Sequence, residues 1–506
     1  MEPARFLRLD AIDNVVVAIT DLPAGVAIEG VQTARRIPRG HKLASRPIAL
    51  GEPIRKFGQI IGFASQPVAP GDWVHEHNVT MGDFDRDYAF AVDATPPEAL
   101  RPGEVPAFFE GFRRPDGRVG TRNYIGILSS VNCSATVVDI IAAEVERLGL
   151  LADYPHIDGI VALPHDQGCG MNSGGEAFDT LSRTQWGYAS HPNFAAVLTV
   201  GLGCEVFQIP RLKQTYGIAE GDHFQSLVIQ EVGGTKRAVE AGVARVREML
   251  PHVANQKREP IPASELVLAL QCGGSDGYSG LTANPALGLA ADQLVRQGGT
   301  AILSETPEIY GAEHMLTRRA ESVEVGQKIV DLINWWEDYT SRSGGEMNNN
   351  PSPGNKAGGL TTILEKSLGA IAKSGSSTLR GVYRYGERID RRGFVYMDTP
   401  GYDPVAATGQ VAGGANMLCF TTGRGSAYGC KPVPSLKLAT NTPLFERMPD
   451  DMDINCGDIV EGVSLEDKGR EIFDHILATA SGRKTKSEEL GYGRHEFIPW
   501  RIGAVM

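Results

Sequence analysis

Apolar runs recur along the chain from about residue 120 onward, and segments with helical spacing lie between them. Each run has the length of a buried strand. The first is followed by TVVDIIAAEVERLGL, in which Val137, Ile141 and Val145 recur at the four-residue spacing of one helix face. Alternation of strands and helices predicts an α/β fold with a mainly parallel sheet and flanking helices. The runs are YIGILSS (124–130), IDGIVALP, AVLTVGL, SLVIQEV, ELVLAL, TAILSE, GFVYMDT and NMLCFTTG.

Residues 10–80 differ, because short stretches there alternate apolar and polar residues and end in turn signals such as PRG and PGD. This pattern predicts a small antiparallel β domain. The Pro-rich, acidic stretch DATPPEALRPGEVPAFFE after it is typical of a linker. We therefore expect a β domain at residues 1–90, a linker at 91–110, and two α/β catalytic domains at 111–255 and 256–506.

Composition excludes several classes of protein. The formal net charge of −12 and the absence of a Lys/Arg-rich block argue against a nucleic-acid partner. No apolar stretch approaches the roughly 18 residues of a membrane span, and the N-terminus lacks the apolar segment of a signal peptide. These features predict a cytoplasmic protein without a membrane partner. In a reducing compartment, its seven cysteines are better interpreted as ligands, reactive thiols or core residues than as a disulfide scaffold.

Four cysteines follow apolar runs at equivalent places: Cys133, Cys169, Cys204 and Cys272. Ligands of open parallel sheets bind outside the carboxyl ends of the strands, so these thiols would meet at one edge if their strands share a sheet. A single free cysteine is most often a small buried apolar residue, but four in equivalent places favour metal ligation. Thiolates select soft metals, which indicates iron or an iron–sulfur cluster ahead of zinc.

Three histidines are candidates for the same chemistry. His75 and His77, in VHEHN, would share one face of a strand and are candidate metal ligands, and His77 is also a candidate acid or base. His165, shortly before Cys169, would lie at the strand edge with the thiols and is a candidate catalytic residue. Chance placement of histidines is the competing interpretation for each.

Gly-rich loops supply the remaining candidates. None matches a phosphate-binding or dinucleotide-binding fingerprint, but each combines backbone freedom with hydroxyls, amides and a charged side chain suited to a polyhydroxylated, carboxylated ligand. Ordinary turn chemistry explains each loop alone equally well. The loops are CGGSDGYSGLTANP (272–285), PGNKAGG (353–359) and TGRGSAYG (422–429); their candidate substrate-binding residues are Ser279, Thr282, Asn284, Asn355, Lys356 and Arg424, and Asp276 is a candidate catalytic residue.

At these residues the sequence resembles the altronate/galactarate dehydratase family. The matching segments run in family order across nearly the whole chain, which makes the resemblance highly specific. They are GHKLA, GEPIRKFGQIIG, VHEHN, the Gly-Cys turn at 168–169, GLGCE, CGGSDGYSGLTANPALG, ETPEIYGAE, NPSPGNKAGG, EKSLG, KSGSS, RYGER and TGRGSAYG.

The resemblance implies an N-terminal SAF-type β-clip domain and a hydro-lyase that converts a hexonic or hexaric acid to a 2-keto-3-deoxy acid. It implies a divalent metal, with Fe(II) expected first and Mn, Mg or Ca less favoured. The four thiols keep an iron–sulfur cluster as the alternative. We expect a small sugar-acid substrate and a homo-oligomer, most simply a dimer. VHEHN is similar to the altronate branch of the family, whereas LQCGGSD and the QGCG turn are similar to the galactarate branch, so both substrates stay open.

The reaction itself requires a cation, a base and an acid. Removing the C2 proton beside a carboxylate places extra negative charge on an anionic group, which a Lewis-acidic metal offsets. Hydroxide leaves poorly and needs a proton donor. Glu308, in ETPEIYGAE, joins His165, Asp276 and His77 as a candidate for these proton transfers. Sulfolactate elimination and non-catalytic binding of a metal or sugar acid are the alternative functions.

Overall fold

A computed structural model describes residues 5–84, 86–96, 99–253, 255–503 and 505. Its N-terminal part is a β domain in which a four-stranded antiparallel sheet, ordered β1-β2-β5-β8, packs beside a three-stranded one, ordered β6-β7-β9. The strands are β1 (Phe6–Leu7), β2 (Val15–Ala18), β3 (Ala27–Ile28), β4 (Val31–Gln32), β5 (Lys42–Ala44), β6 (Pro53–Lys56), β7 (Gln59–Ala64), β8 (Trp73–Val74) and β9 (Val79–Thr80).

The middle part contains a wholly parallel four-stranded sheet, ordered β13-β12-β14-β15. Its two central strands, β12 and β14, are buried along their whole length because helices cover the sheet, as expected for parallel strands. The elements are β10 (Phe108–Arg113), β11 (Val119–Gly120), β12 (Tyr124–Ser129), α1 (Ala135–Arg147), β13 (Gly159–Leu163), α2 (Glu176–Ala189), β14 (Phe194–Gly201), α3 (Ile209–Tyr216), β15 (Phe224–Val228), α4 (Ile229–Val232) and α5 (Thr235–Val253).

The C-terminal part is built on a parallel seven-stranded sheet, ordered β19-β20-β18-β17-β21-β22-β23. Its elements are β16 (Glu259–Pro262), β17 (Val267–Cys272), α6 (Ala283–Arg296), β18 (Thr300–Leu303), α7 (His314–Arg318), α8 (Val323–Arg342), α9 (Pro353–Ala357), α10 (Ile363–Ile371), β19 (Leu379–Tyr383), β20 (Gly393–Met397), α11 (Asp403–Ala412), β21 (Met417–Thr422), β22 (Ser435–Ala439), α12 (Thr442–Arg447), β23 (Ile454–Asn455), α13 (Leu465–Ala480) and α14 (Lys486–Glu489).

The α/β fold with a small antiparallel N-terminal domain is therefore confirmed. One detail of the linker is wrong: residues 108–110 belong to β10, which pairs antiparallel with β16. Among the described helices, none has both the length and the apolar character needed to cross a bilayer.

The two parallel sheets open towards the same side of the molecule. Helices α2 and α11 pack together, and Gly187 near the end of α2 lies so close to Ala412, the last residue of α11, that a Cβ there would overlap its carbonyl oxygen. At the other end, the charge of Glu176, which begins α2, acts on Asp398, just before α11. The helices therefore run parallel. Since each begins beyond the carboxyl end of a strand, the carboxyl edges of both sheets face the same way.

A C-terminal segment bridges these two edges. Gln167, in the turn after β13, donates from Nε2 to the Pro499 carbonyl at 2.7 Å. The next residue, Trp500, stacks on Trp336 with a ring separation of 5.4 Å, and the Trp336 indole donates to Asp398 at 2.8 Å. One short segment thus connects a loop of the four-stranded sheet to a loop of the seven-stranded sheet.

Candidate active site

A buried cluster of charged and thiol side chains lies at the carboxyl edge of the seven-stranded sheet. It consists of Cys272, Glu305, Glu308, Lys366 and Lys373, and this set is called the buried cluster below. In the described part of the chain, Cys272, Glu305 and Glu308 form the one group of at least three potential ligands whose ligand atoms lie within 4.8 Å of one another. Every member is less than a tenth exposed.

The ends of two neighbouring strands position Cys272 and Glu305. Cys272 is the last residue of β17, and Glu305 lies two residues beyond the neighbouring strand β18. Glu305 has a φ of +70°, an uncommon conformation for a residue with a side chain, and its backbone N–H donates to Thr399 Oγ1 at 2.9 Å. A strained residue held in this way is typical of functional sites.

Two lysines come from α10 and the turn after it. Lys373 Nζ lies 2.8 Å from Cys272 Sγ and 3.2 Å from Glu305 Oε2. Lys366 Nζ donates to Glu308 Oε1 at 2.7 Å and to Asn350 Oδ1 at 2.6 Å. Burial opposes the charged form of each lysine, but nearby acidic groups outweigh it and raise the pKa of both above its ordinary value. Both ammonium groups therefore stay charged inside the protein.

Asp403 adds a third carboxylate at the same edge. It begins α11, and its Oδ2 lies where a Cβ on Gly273 would be, so glycine next to Cys272 makes room for it. Burial and the charge of Glu308 raise the pKa of Asp403 to about 6. Burial also raises the pKa of Glu305 to about 8, against the opposing charge of Lys373. Before an ion binds, the two carboxyl groups thus differ in protonation near neutral pH.

The donor set of the buried cluster fits a divalent cation. Burial raises the pKa of Cys272 well above its ordinary value, so the thiol is neutral without a further cation. Glu305 Oε1 is buried and has no hydrogen-bond partner in the described part of the chain. A divalent ion that replaced the protons of Cys272 and Glu305 would leave the net charge unchanged and satisfy this oxygen. One thiolate and two carboxylates suit Fe(II) among other ions.

The predicted Gly-rich loops meet beside this cluster. The Gly277 N–H donates to the Gly358 carbonyl at 2.8 Å, and the Arg424 N–H donates to the Gly274 carbonyl at 2.8 Å. Gly40, from the N-terminal domain, touches the same place, because a Cβ on Gly277 or on Gly359 would overlap its carbonyl oxygen. Three loops of the C-terminal part and one of the β domain therefore form a common wall.

Several predicted substrate-binding residues of these loops are engaged in internal bonds. Thr282 Oγ1 donates to the Thr440 carbonyl at 2.7 Å, and Asn284 bonds to both the Gly369 carbonyl and Thr421 Oγ1. Ser279 Oγ lies 3.1 Å from Asp276 Oδ1. All of these side chains are buried, which favours the turn-chemistry interpretation over substrate contact.

The other loop candidates divide into two groups. Asp276 is buried and accepts bonds from Thr440 Oγ1 and Asn441 Nδ2. Asn355 Nδ2 donates to the Ser275 carbonyl at 2.8 Å, and both side chains hold loops together. Lys356 and Arg424 are more open. Lys356 Nζ is 3.4 Å from Glu76 Oε2, at the boundary with the β domain. These two cations stay candidates for a substrate carboxylate.

The prediction that His75 and His77 share a strand face is wrong. Strand β8 ends at Val74, and both histidines lie in a turn in which Asn78 bonds to the backbone of His75. The Trp73 ring nevertheless lies against both: it stacks on His75 with ring centres 4.9 Å apart and is tilted by 49° to His77 with ring centres 5.4 Å apart. No group of three metal ligands within the described residues includes either histidine.

His41 lies beside this pair, 5.0 Å from the His75 ring centre, and accepts from the Trp73 indole at 3.2 Å. Burial and the charge of Lys42 lower the pKa of His41 to about 4 and of His75 to about 3. Both imidazoles are therefore neutral at pH 7, and His75 Nδ1 has no partner in the described part of the chain. A role for His77 as an acid or base stays a prediction.

His165 is held by backbone groups on both ring nitrogens. Its Nε2 pairs with the Ser129 carbonyl at 2.9 Å, and its Nδ1 accepts from the Gln167 N–H at 3.1 Å. Since neither nitrogen is free for a proton transfer, the arrangement favours a structural role, shaping the turn before Cys169.

The four predicted thiol ligands lie on two different sheets. Cys272 belongs to the buried cluster, whereas Cys133, Cys169 and Cys204 follow the adjacent strands β12, β13 and β14 of the four-stranded sheet. The expectation of one shared sheet is therefore wrong for Cys272. The other three are free and exposed.

Sequence reasoning missed four members of this region. Glu305 follows the apolar run TAILS, so the strand-end argument used for the cysteines would have found it. Lys366, Lys373 and Asp403 lie on helices or turns whose position depends on tertiary packing. In the sequence, the two lysines are marked only because they lie in EKSLG and KSGSS, two of the segments that match the family.

Three family models cover most of the chain. The description "Altronate/galactarate dehydratase SAF domain" matches residues 4–82, "D-galactarate dehydratase/Altronate hydrolase, second domain" matches 111–254, and "D-galactarate/Altronate dehydratase, C-terminal" matches 263–505. The buried cluster lies wholly in the third match, and the three exposed cysteines lie in the second.

Curated relatives extend over nearly the same span. Galactarate dehydratase (L-threo-forming) of Escherichia coli is 39% identical over 96% of this chain and 95% of its own length. Altronate dehydratase of Bacillus subtilis is 36% identical over 96% of each chain. The (2R)-sulfolactate sulfo-lyase subunit beta of Chromohalobacter salexigens is 30% identical over 78% of this chain and 97% of its own. The chain therefore belongs to the galactarate/altronate dehydratase family of hydro-lyases.

Proposed function

We propose that this chain dehydrates a hexaric or hexonic acid, such as galactarate or altronate, to a 2-keto-3-deoxy acid at the buried cluster. The observation that carries the proposal is the set of two charged lysines and three carboxyl groups beside Cys272 at one sheet edge. Family membership supports the reaction type, and the names of the relatives support the two substrates tested first.

Lys366 is the cation placed to meet the substrate. It is slightly exposed, while Lys373 is fully enclosed, and it is bonded to Asn350 and Glu308 at the more open end of the cluster. A substrate carboxylate beside Lys366 would share its positive charge with Glu308. That charge also stabilises the extra negative charge that develops on the carboxylate when the C2 proton leaves.

Asp403 and Lys366 differ in protonation in the way that the two proton transfers require. With a pKa near 6, Asp403 is ionised at neutral pH and is our candidate for the base that accepts the C2 proton. Glu305 would be ionised as a ligand of the divalent ion, so the protonated Lys366, whose pKa is raised above its ordinary value, is our candidate for the donor to the departing C3 hydroxyl. The resulting enol then tautomerises to the keto acid.

Cys272, Glu305 and Glu308 are the residues that would hold a divalent cation, with Fe(II) the first candidate. Such an ion supplies Lewis acidity, which further stabilises the charge on the substrate carboxylate. Lys366 and Lys373 continue to neutralise the carboxylates around it.

Sulfolactate elimination is the second candidate, favoured by the similarity to a sulfo-lyase subunit. In this reaction the leaving group departs from C3, and C2 carries a hydroxyl next to the carboxylate, as in the sugar acids. The same cation, base and acid would therefore serve.

The test is keto-acid formation by the full chain from galactarate, altronate and sulfolactate, each with and without a chelator. The proposal expects a 2-keto-3-deoxy acid from at least one of the two sugar acids and a large loss of rate after chelation. Sulfite release from sulfolactate without keto acid from either sugar acid would select the second candidate. Turnover of none of the three would reject both.

A further inference from the structure

Three of the seven cysteines are exposed, and they lie on three adjacent strand ends. Cys133, Cys169 and Cys204 follow β12, β13 and β14, and this set is called the three-thiol corner. The other four cysteines are buried, which is the usual state of a free cysteine. Exposed free thiols are an oxidation liability, so their concentration at one sheet edge indicates a function for them.

Backbone contacts tie the three turns of the corner together. The Asn132 N–H, next to Cys133, donates to the Gln167 carbonyl at 3.0 Å. The Phe207 N–H, three residues after Cys204, donates to the Gly168 carbonyl at 3.0 Å. The turn that carries Cys169 is therefore bonded to the turns that carry both other thiols.

Gly168 permits this close approach. Its φ is +98°, and a Cβ there would overlap the Ser130 carbonyl oxygen and lie 2.9 Å from Val131 Cα. Ser130 is bonded in turn to Glu205 Oε1 at 2.8 Å, which fixes the Cys204 turn against β12. The corner is thus held by glycine geometry and by a buried carboxylate.

The other ligand-type side chains next to the corner are already engaged. Glu205 accepts from Ser130 Oγ and from the Leu202 and Gly203 N–H groups, and both ring nitrogens of His165 are bonded to backbone. The thiols are therefore the donors that remain for a ligand. Among the described residues, the one side-chain bond to them runs from Gln230 Nε2 to Cys204 Sγ at 3.6 Å, in the exposed part of the corner. An all-thiolate set selects a soft metal centre.

Spacing distinguishes a single ion from a cluster. Metal–sulfur bonds of about 2.3 Å require the sulfurs around one tetrahedral ion to lie within roughly 4 Å of one another. The three sulfurs of the corner do not all lie within 4.8 Å of one another. In a 4Fe–4S cluster each thiolate binds a different iron, so the cluster spans a wider set of sulfurs.

We propose that Cys133, Cys169 and Cys204 hold a 4Fe–4S cluster that keeps one iron without a protein ligand. Such an iron supplies a Lewis-acidic position for an oxygen ligand and needs no change in oxidation state for an elimination. The bridge from Gln167 through Trp500 and Trp336 to Asp398 places the corner beside the edge that carries the buried cluster. The assignment deepens the proposed function but does not depend on it for its test.

The experiment is anaerobic purification of the full chain, followed by reconstitution with Fe(II) and sulfide. Iron and acid-labile sulfide are then counted per chain, and visible absorbance and the EPR spectrum after reduction are recorded. We expect close to four irons and four sulfides, with visible absorbance that air bleaches. Cys133→Ser, Cys169→Ser and Cys204→Ser should each lose at least half of the sulfide and the EPR signal.

Cys272→Ser and Cys419→Ser are the matched variants, and thermal melting shows whether each variant folds. Both should keep the cluster, while Cys272→Ser should lose turnover. A chain with iron but no labile sulfide, or equal sulfide in all five variants, would overturn the assignment. Turnover of a sugar acid without any labile sulfide would reject the cluster and leave the proposed function standing. A bound cluster without turnover of any sugar acid would support the cluster and reject the proposed function.

Discussion

Glu365 and Lys366 are consecutive residues of α10, yet they bond to two different parts of the molecule. Glu365 accepts from Lys42 and Lys56 of the β domain at 2.8 and 3.0 Å. Lys366 bonds to Glu308 of the buried cluster. Because neighbouring helical residues point about 100° apart, one turn of α10 links the β domain to the candidate active site. The β domain therefore helps to position Lys366.

Replacing Glu365 with glutamine should destabilise the protein and slow turnover together. Burial opposes the ionised form of Glu365, but Lys42 and Lys56 lower its pKa to about 2, so it is charged at neutral pH. Removing that charge leaves two lysines, each no more than 2% exposed, without a counter-ion. We expect a loss of about 3–5 kcal/mol in the free energy of unfolding, measured by urea denaturation.

Lys486→Met is the control for this experiment. Lys486 pairs with Glu489 at 4.0 Å on the surface and should change stability by about 0.5 kcal/mol or less. A Glu365→Gln variant as stable as this control would contradict the assigned coupling between the domains.

The pH dependence of kcat/KM should have an acidic limb. Asp403 must lose a proton to act as a base, so the rate should rise as pH increases through about 6. Lys366 has a pKa raised above its ordinary value, so it should stay protonated and keep the rate level from there through neutral pH.

Asp403→Asn should remove the acidic limb of this profile and lower kcat by about 10²–10⁴-fold. Asp403→Glu retains a carboxyl group and should retain the limb at reduced rate. An Asp403→Asn variant with the same acidic limb as the original chain would show that another group is the base.

Gly168→Ala should open the three-thiol corner. The alanine Cβ would overlap the Ser130 carbonyl oxygen at a φ of +98°, so the turn must move. We expect a cost of about 1–3 kcal/mol and a clear drop in bound iron and labile sulfide. Gly174→Ala, in the same loop with open space around its Cβ position, is the matched control. Equal iron content in both variants would contradict the role given to Gly168.

Local sequence patterns predict most strands of the two parallel sheets, but not β19, β22 and β23. The apolar runs are short and are bounded by turns, and the structure places β12, β13, β18, β20 and β21 within the predicted runs. The pattern also placed cysteines at strand ends, since a strand end is a local property. It did not show that Cys272 belongs to a different sheet from Cys133, because sheet membership depends on pairing between distant segments.

The site itself was less predictable. Lys373 and Asp403 reach the buried cluster through helix packing that no short window of sequence reports. His75 was placed on a strand because VHEHN alternates, but Asn78 closes a turn there. Asn284 carried a plausible substrate-binding amide, and burial against Gly369 and Thr421 engages it in the core instead.

The most direct test of the buried cluster as the place of dehydration is the rate of 2-keto-3-deoxy acid formation by Lys366→Gln, measured beside the original chain and Lys486→Met. Glutamine retains a donor towards Glu308 but removes the positive charge. The account predicts a loss of about 10²–10³-fold in kcat for Lys366→Gln and no loss for Lys486→Met. Turnover of the folded Lys366→Gln variant at the original rate would contradict it.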